Sequence, residues 1–292
     1  MTDTMGAMNV ARRAWTLYEP IHAIVYFASE APEHYKAAGL RGGWMGYFAS
    51  RSAPMGAVSA GLVTATFYSF RPQMVGRAIP DAWKYSSPEL ALTARTAVAD
   101  AALRRLWGDA VDGAEVREAA VATMAVARGL PGGGRPIYTA TAALDEPEAP
   151  HLKLWHACTL LREHRFDGHV AALTVHGLDG LESLVTALAA GTGIDPAEMR
   201  SFRGWTEEEW AEGVARLQRR GMLDAAGGLA DTGRELRNDV ESMTDRLAAD
   251  PWESLNEASR ERLFATLRKL ALLLENEDGI RYPNPIGVPQ PE

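Results

Sequence analysis

The chain has 292 residues, 47% of them hydrophobic, and carries a formal charge of −8 from 30 basic and 38 acidic side chains. That is enough apolar material for a sizeable core in one or two domains, with no apolar run near the roughly 20 residues that span a bilayer and no basic footprint of a nucleic-acid binder. The one cysteine, Cys158, excludes an internal disulfide and a cysteine-cluster zinc site. Met1 to Val10 lacks a basic stretch leading into an apolar core, so it does not read as a secretory signal, and a cytoplasmic protein without membrane contact is expected.

Helical signals dominate in chain order. Residues 15–28 read as a helix with Leu17, Ile21, Ile24 and Val25 inward and Pro20 in its first turns. Two apolar helices, 39–51 and 57–70, are parted by Ala53-Pro54. A helix over 88–106 starts at Pro88 with Ser87 as N-cap, and another covers 114–128. Together they form an aromatic-rich helical domain over 1–130. Two stretches rich in proline, the first with glycine and the second with glutamate, mark a linker over 131–150. From His151 the pattern becomes three compact helices at 152–164, 168–176 and 178–190, then a loop through Asp195-Pro196. A helix over 207–221 and a hairpin turning at Gly227-Gly228 follow, giving a winged-helix domain over 151–250. Residues 251–292 supply an amphipathic helix (257–275) and a tail extended by its prolines. The expected fold is therefore mainly α: a helical N-terminal domain packed on a winged-helix domain with a small β-hairpin wing. Arg41-Gly42-Gly43-Trp44 echoes Arg203-Gly204-Trp205, as a degenerate winged helix in the first half would.

The helix after Trp205 is the most legible element. Thr206 caps it and Glu209 completes a capping box; Trp210, Val214 and Leu217 make its buried stripe, and Gly221 stops it. In a DNA reader the first turn of this helix meets phosphates and base edges, and Glu207, Glu208 and Glu209 would be repelled there. DNA is thus the less favoured partner. The arginines a regulator would turn to phosphates, Arg216, Arg219 and Arg220, also complement the helix dipole at its C-terminal end.

The large rings of the first quarter (Tyr26, Trp44, Tyr47, Phe48, Phe67 and Tyr68 among them), with Trp155 and Trp205, have the composition of a pocket for an aromatic organic ligand. They equally suit an aromatic core. Glu19 and His22, three apart, share a helix face, so the carboxylate could orient the imidazole as a general base. Arg51 could neutralise developing negative charge. His169 is a second acid/base candidate, and Arg162 and Arg203 are candidate ligand contacts. A buried His–Glu tie between helices explains the first pair as well.

No metal or cofactor is expected. Glu19-x-x-His22 and Glu148-x-x-His151 share the spacing of di-iron bundles, but the second precedes its helix and contains a proline. Gly132-Gly133-Gly134-Arg135 lacks the lysine of a phosphate loop, no Gly-x-Ser-x-Gly elbow occurs, and Cys158 reads as packing.

Over about 152–248 the Gly-Trp helix, Arg220-Gly221-Met222-Leu223, the Gly-Gly turn and Thr232-Gly233 resemble MarR-like winged-helix proteins. The whole chain resembles an actinobacterial family of predicted helix-turn-helix proteins. It does so through Glu19-Pro-Ile-His22, Trp44-Met-Gly-Tyr47-Phe48-Ala-Ser-Arg51, Phe67-Tyr68-Ser-Phe70, Leu161 to His169 and Arg203-Gly-Trp205. The resemblance implies a fold and no reaction; a common site would include Glu19, His22, Trp44, Arg51, Tyr68, His169 and Arg203. Three functions are expected in descending order. The first is binding of a small aromatic or polycyclic molecule between the two halves, for sequestration or for cofactor-free acid/base chemistry of the lyase, isomerase or hydrolase type. The second is a ligand-responsive winged-helix DNA-binding regulator. The third is a protein-binding role, with a homodimer clasped by the last helix and tail.

Overall fold

Local chemistry sets most helix boundaries in the computed structural model, which describes residues 9–288 and 290–291. Asn9 accepts from the Ala11 and Arg12 amides to start α1 (Val10–Ala23), and a 3-10 turn at Ile24–Tyr26 extends it. Pro20 falls in the interior of α1, where it cannot donate to the Thr16 carbonyl. There follow α2 (Ala31–Ala37), α3 (Gly43–Ser52), α4 (Ala60–Phe67), α5 (Pro72–Ala78) and α6 (Ala82–Tyr85). Ser87 caps α7 (Pro88–Trp107) through the Leu90 amide; α8 (Ala114–Ala127) and α9 (Pro136–Ala142) come next. Within the stretch read as a linker, α9 buries Ile137 and Tyr138.

The second half comprises α10 (Pro150–Val175), α11 (Gly180–Ala189), α12 (Pro196–Phe202), α13 (Glu207–Arg219), α14 (Asp231–Arg246), α15 (Asp250–Glu253) and α16 (Glu257–Leu272). A large core runs from α1 through the first half of α10 and is completed by α15, α16 and the tail. A smaller one gathers Ala172, Leu173, Leu181, Val185, Leu217 and Val240 from α10, α11, α13 and α14. The long α10 belongs to both, and it is buried on most sides. No described helix is long and apolar enough to cross a membrane. Of Met1 to Val10, only Asn9 and Val10 are among the described residues, and Pro289 of the tail lies outside them.

Two expectations about the second half are corrected. The winged-helix, MarR-like reading fails because no strand forms among the described residues. Residues 222–230 make a tight loop with one isolated antiparallel bridge, Leu223 to Leu229. The Asp224 side chain accepts from the amides of Ala226 and Gly228, both 2.9 Å, which curls the loop, and α14 begins at Asp231 before a second strand has room to extend. The echo at Arg41 likewise has no wing beside it. Nor does the chain turn at Gly168: the helices read over 152–164 and 168–176 are one helix. Gly168 serves a close approach instead, since a Cβ there would lie 2.7 Å from the Arg135 guanidinium. That guanidinium crosses α10 to donate to the carbonyls of His164 and Leu247.

Candidate functional site

Residues Arg162, Arg165, Phe166 and His169 of α10 recur at helical spacing and so share one face. Opposite them stand Trp15 and Glu19 of α1, Tyr47 and Arg51 of α3, Leu184 and Leu188 of α11, and Arg237, Glu241 and Thr244 of α14. Arg203, at the end of α12, and Pro285 and Ile286 of the tail complete a cavity of about 220 Å3. Arg203 is held there by the turn after α4. The Arg71 amide donates to the Arg203 carbonyl at 3.1 Å, and the Trp205 indole donates to the Ser69 carbonyl at 3.0 Å. Tyr68 anchors the same turn by donating its hydroxyl to the Leu178 carbonyl. The turn presses so closely on α11 that a Cβ at Gly180 would lie 2.0 Å from the Tyr68 oxygen.

A chain of ion pairs lines one wall. Arg51 donates from Nε and Nη2 to both oxygens of Glu163, at 3.1 and 3.0 Å, and from Nη1 to the Tyr47 hydroxyl at 3.1 Å. Arg162 donates to Glu163 at 2.7 Å and to Glu19 at 3.2 Å, and Trp15 donates to Glu19 at 3.1 Å. Burial alone would raise the Glu163 carboxyl, but Arg162 and Arg51 outweigh it and hold the group well below the usual carboxylate range. Glu19 is raised by burial, which its single arginine only partly offsets. Farther round, Asp245 accepts from Arg165 and Arg12, and Glu241 from Arg12 and Arg237.

Taking the charged groups that line the cavity with their ion-pair partners, cations outnumber anions: Arg12, Arg51, Arg162, Arg165, Arg203 and Arg237 against Glu19, Glu163, Glu241 and Asp245. Arg203 is the guanidinium of this set without a carboxylate. It donates from Nη2 to the Pro285 carbonyl at 2.8 Å and lies over the Phe70 ring, while its Nε meets no acceptor. Burial pushes its pKa down to about 10. Nη1 of Arg165 and Nε of Arg237 are also buried without an acceptor.

The general base expected at His22 is not built. The His22 ring is wholly buried and meets Thr159 and Tyr26, at 3.0 and 3.1 Å, while Glu19 turns to Arg162. Burial, then the nearby Arg162 charge, hold His22 well below the ordinary imidazole value, so it is neutral and weakly basic. His169 does line the cavity. Thr244 gives its hydroxyl hydrogen to the Val240 carbonyl at 2.7 Å, so His169 Nδ1–H donates to Thr244 at 2.9 Å and Nε2 carries the lone pair. Of the expected residues, Glu19, Tyr47, Arg51, Phe67, Tyr68, Arg162, His169 and Arg203 come together here. His22, Tyr26, Trp44, Phe48, Trp155 and Trp205 do not.

The aromatic pocket expected from the rings is corrected as well. Trp44, Tyr47, Phe48, Phe67, Phe70 and Phe202 pack edge-on and stacked against one another, with centroids 4.8–6.2 Å apart. Phe48, Phe67 and Phe70 are buried, so their faces are spent on the core. They leave an outer groove beside Tyr26 and Tyr35, separated from the arginine cavity by Tyr47 and Phe70. Arg165, Arg237, Glu163 and Glu241 were missed. The repeats 162/165/166/169 and 237/241/244 carried their signal, but only for unbroken helices.

A family described as the Helix-turn-helix family matches residues 11–280. The chain belongs to that family. No curated protein and no solved structure matches it. Several features of the second half weigh against DNA reading. The wing is missing, and Glu207 and Glu208 open α13 on the surface. Arg216 is engaged by Asp179 and Glu182, and Arg220 by Glu182. The regulator reading loses two of the three arginines it offered to phosphates.

The buried His22, His156 and His164, with the half-buried His169, should make the fold lose stability in mild acid. Burial lowers His156, His164 and His169 to about 4, from about 6.5 in the unfolded chain, and His22 shifts the same way. The folded state therefore binds fewer protons than the unfolded one between those values, and stability is lost as pH falls from 6.5 toward 4. Asp167, raised to about 6 by burial, works in the opposite sense between about 6 and 3.8, and Glu19, also raised by burial, works in that sense too. The four histidines outnumber these two carboxyls. Each unmatched proton costs about 1.4 kcal/mol per pH unit, so the urea midpoint is expected to drop clearly from pH 7 to pH 5. A flat profile would contradict the neutral burial of these rings.

Proposed function

We propose that the protein binds a small organic acid of about two negative charges, such as a dicarboxylate or a phosphate ester, in the cavity beside Arg203. The carrying observation is Arg203 itself: a buried guanidinium with an unused Nε–H and no carboxylate partner. A buried, unpaired cation is costly, and a bound anion offsets that cost through charge-assisted bonds. The excess of arginine over carboxylate around the cavity supports two charges. The volume of about 220 Å3 supports a small ligand, since drug-sized molecules occupy roughly 300–1,000 Å3. This replaces the aromatic or polycyclic ligand and the acid/base chemistry expected from the sequence. His169 Nε2, as a neutral acceptor, would take a hydroxyl or acid proton of the ligand. A cytoplasmic setting belongs to the same reading, supported by a lone, free, buried cysteine.

The test is thermal unfolding in a panel of acids at matched ionic strength. Dicarboxylates or phosphate monoesters at a hundredfold over Kd should add about 2.7 kcal/mol and raise Tm by several degrees in a saturable way. Their amide or alcohol counterparts, and neutral aromatics such as indole, should not. Equal shifts from acids and neutral counterparts would refute the proposal.

A further inference from the structure

Behind the Arg51–Glu163 pair lies a second cavity, of about 670 Å3, between α7, the 141–147 connection and α10. Arg95 lines it and is only 5% exposed. Its Nη2 donates to the Tyr26 hydroxyl at 3.0 Å, and its Nη1 has no partner. The bonds beyond Tyr26 run one way. Thr159 donates its hydroxyl to the Trp155 carbonyl at 2.9 Å and accepts from His22 Nδ1 at 3.0 Å. His22 Nε2 then accepts from Tyr26 at 3.1 Å. Every member of that relay is neutral, so none balances the charge of Arg95. The buried and half-buried carboxylates on the same walls are committed, Glu163 to Arg51 and Arg162 and Asp100 to Arg104 and His151, while Asp145 faces solvent.

We propose that this cavity is a second binding site, for a small monocarboxylate held by Arg95. One free cation matches one negative charge. A second would find no free cation on these walls, because Arg51 is held by both oxygens of Glu163. Thr96 and His156 offer polar contacts for the acid, and burial lowers His156 to about 4, so it is a neutral one. Leu92, Leu152 and Trp155 give the body of the ligand an apolar surface. The site is independent of Arg203. The first cavity can fail to bind and this one still stand.

Trifluoroacetate, followed by fluorine NMR in the full-length Arg203→Met protein, tests it with the first site disabled. Saturable line broadening is expected, with a fluorine-to-proton Overhauser contact to the Trp155 indole. Adding Arg95→Met should weaken binding at least tenfold. Arg95→Lys, which keeps the charge but not the fork, should fall between and covers a Met variant that fails to fold. Non-saturable broadening in Arg203→Met, contact with a different indole, or unchanged affinity after Arg95→Met would overturn the site. Binding lost with Arg203→Met but retained with Arg95→Met would leave only the first cavity as an anion site.

Discussion

Glu163→Gln is expected to destabilise the protein by about 3–5 kcal/mol, the usual cost of breaking a buried ion pair from one side. Glu163 is 1% exposed and accepts three hydrogen bonds from two guanidiniums. An amide keeps the shape but removes the charge, and its NH2 group faces donors. The amide oxygen can still accept, but Arg51 would then have no charged partner, and Arg162 only Glu19. Urea denaturation should show the full loss in the midpoint at an unchanged slope. Glu207→Gln, on the exposed first turn of α13, should stay within about 0.5 kcal/mol. The double variant Arg51→Met with Glu163→Leu should recover much of the deficit, because Arg162 and Glu19 can then pair alone. If Glu163→Gln behaves like Glu207→Gln, the ion-pair wall does not hold the two halves of the protein together.

Arg203→Met should do the opposite to stability and abolish the response to acids. The fall of its pKa from 12.5 to about 10 corresponds to a charging cost on the order of 3 kcal/mol at neutral pH. Methionine removes the charge and still covers the Phe70 ring. Loss of the bond to the Pro285 carbonyl takes back about 1 kcal/mol, leaving a net gain of roughly 1–2 kcal/mol. In buffer free of polyvalent anions the variant should therefore melt above the parent, and dicarboxylate or phosphate ester should no longer raise its Tm. A variant less stable than the parent that keeps the acid response would place both the strain and the ligand elsewhere.

What the sequence made legible was local. Ser87 ahead of Pro88, and Thr206 with Glu209, signal caps that a few neighbouring residues determine, and they stand where expected. Gly168 carried the same kind of local signal and misled, because that glycine answers to Arg135, 33 positions away in sequence. Gly227-Gly228 misled too: a turn was present, but Asp224 and the early start of α14 left no strands beside it. At the site, spacing correctly placed Glu19 and His22 on one helix but could not show their partners. Arg162, 143 positions from Glu19, takes the carboxylate, and Thr159 and Tyr26 take the imidazole. The rings looked like pocket walls because composition does not distinguish a ring facing a ligand from one facing another ring. The arginines were individually visible, but their excess over carboxylates emerged only once α1, α3, α10, α12 and α14 were brought together.

The central claim is that the cavity beside Arg203 is built for an anion. A crystal grown or soaked with selenate, mapped by selenium anomalous scattering, tests it whatever the natural ligand is. The account predicts a peak inside that cavity, within hydrogen-bond distance of the Arg203 guanidinium and absent from Arg203→Met. Selenate found only on the outer surface, with the cavity filled by water, would contradict it.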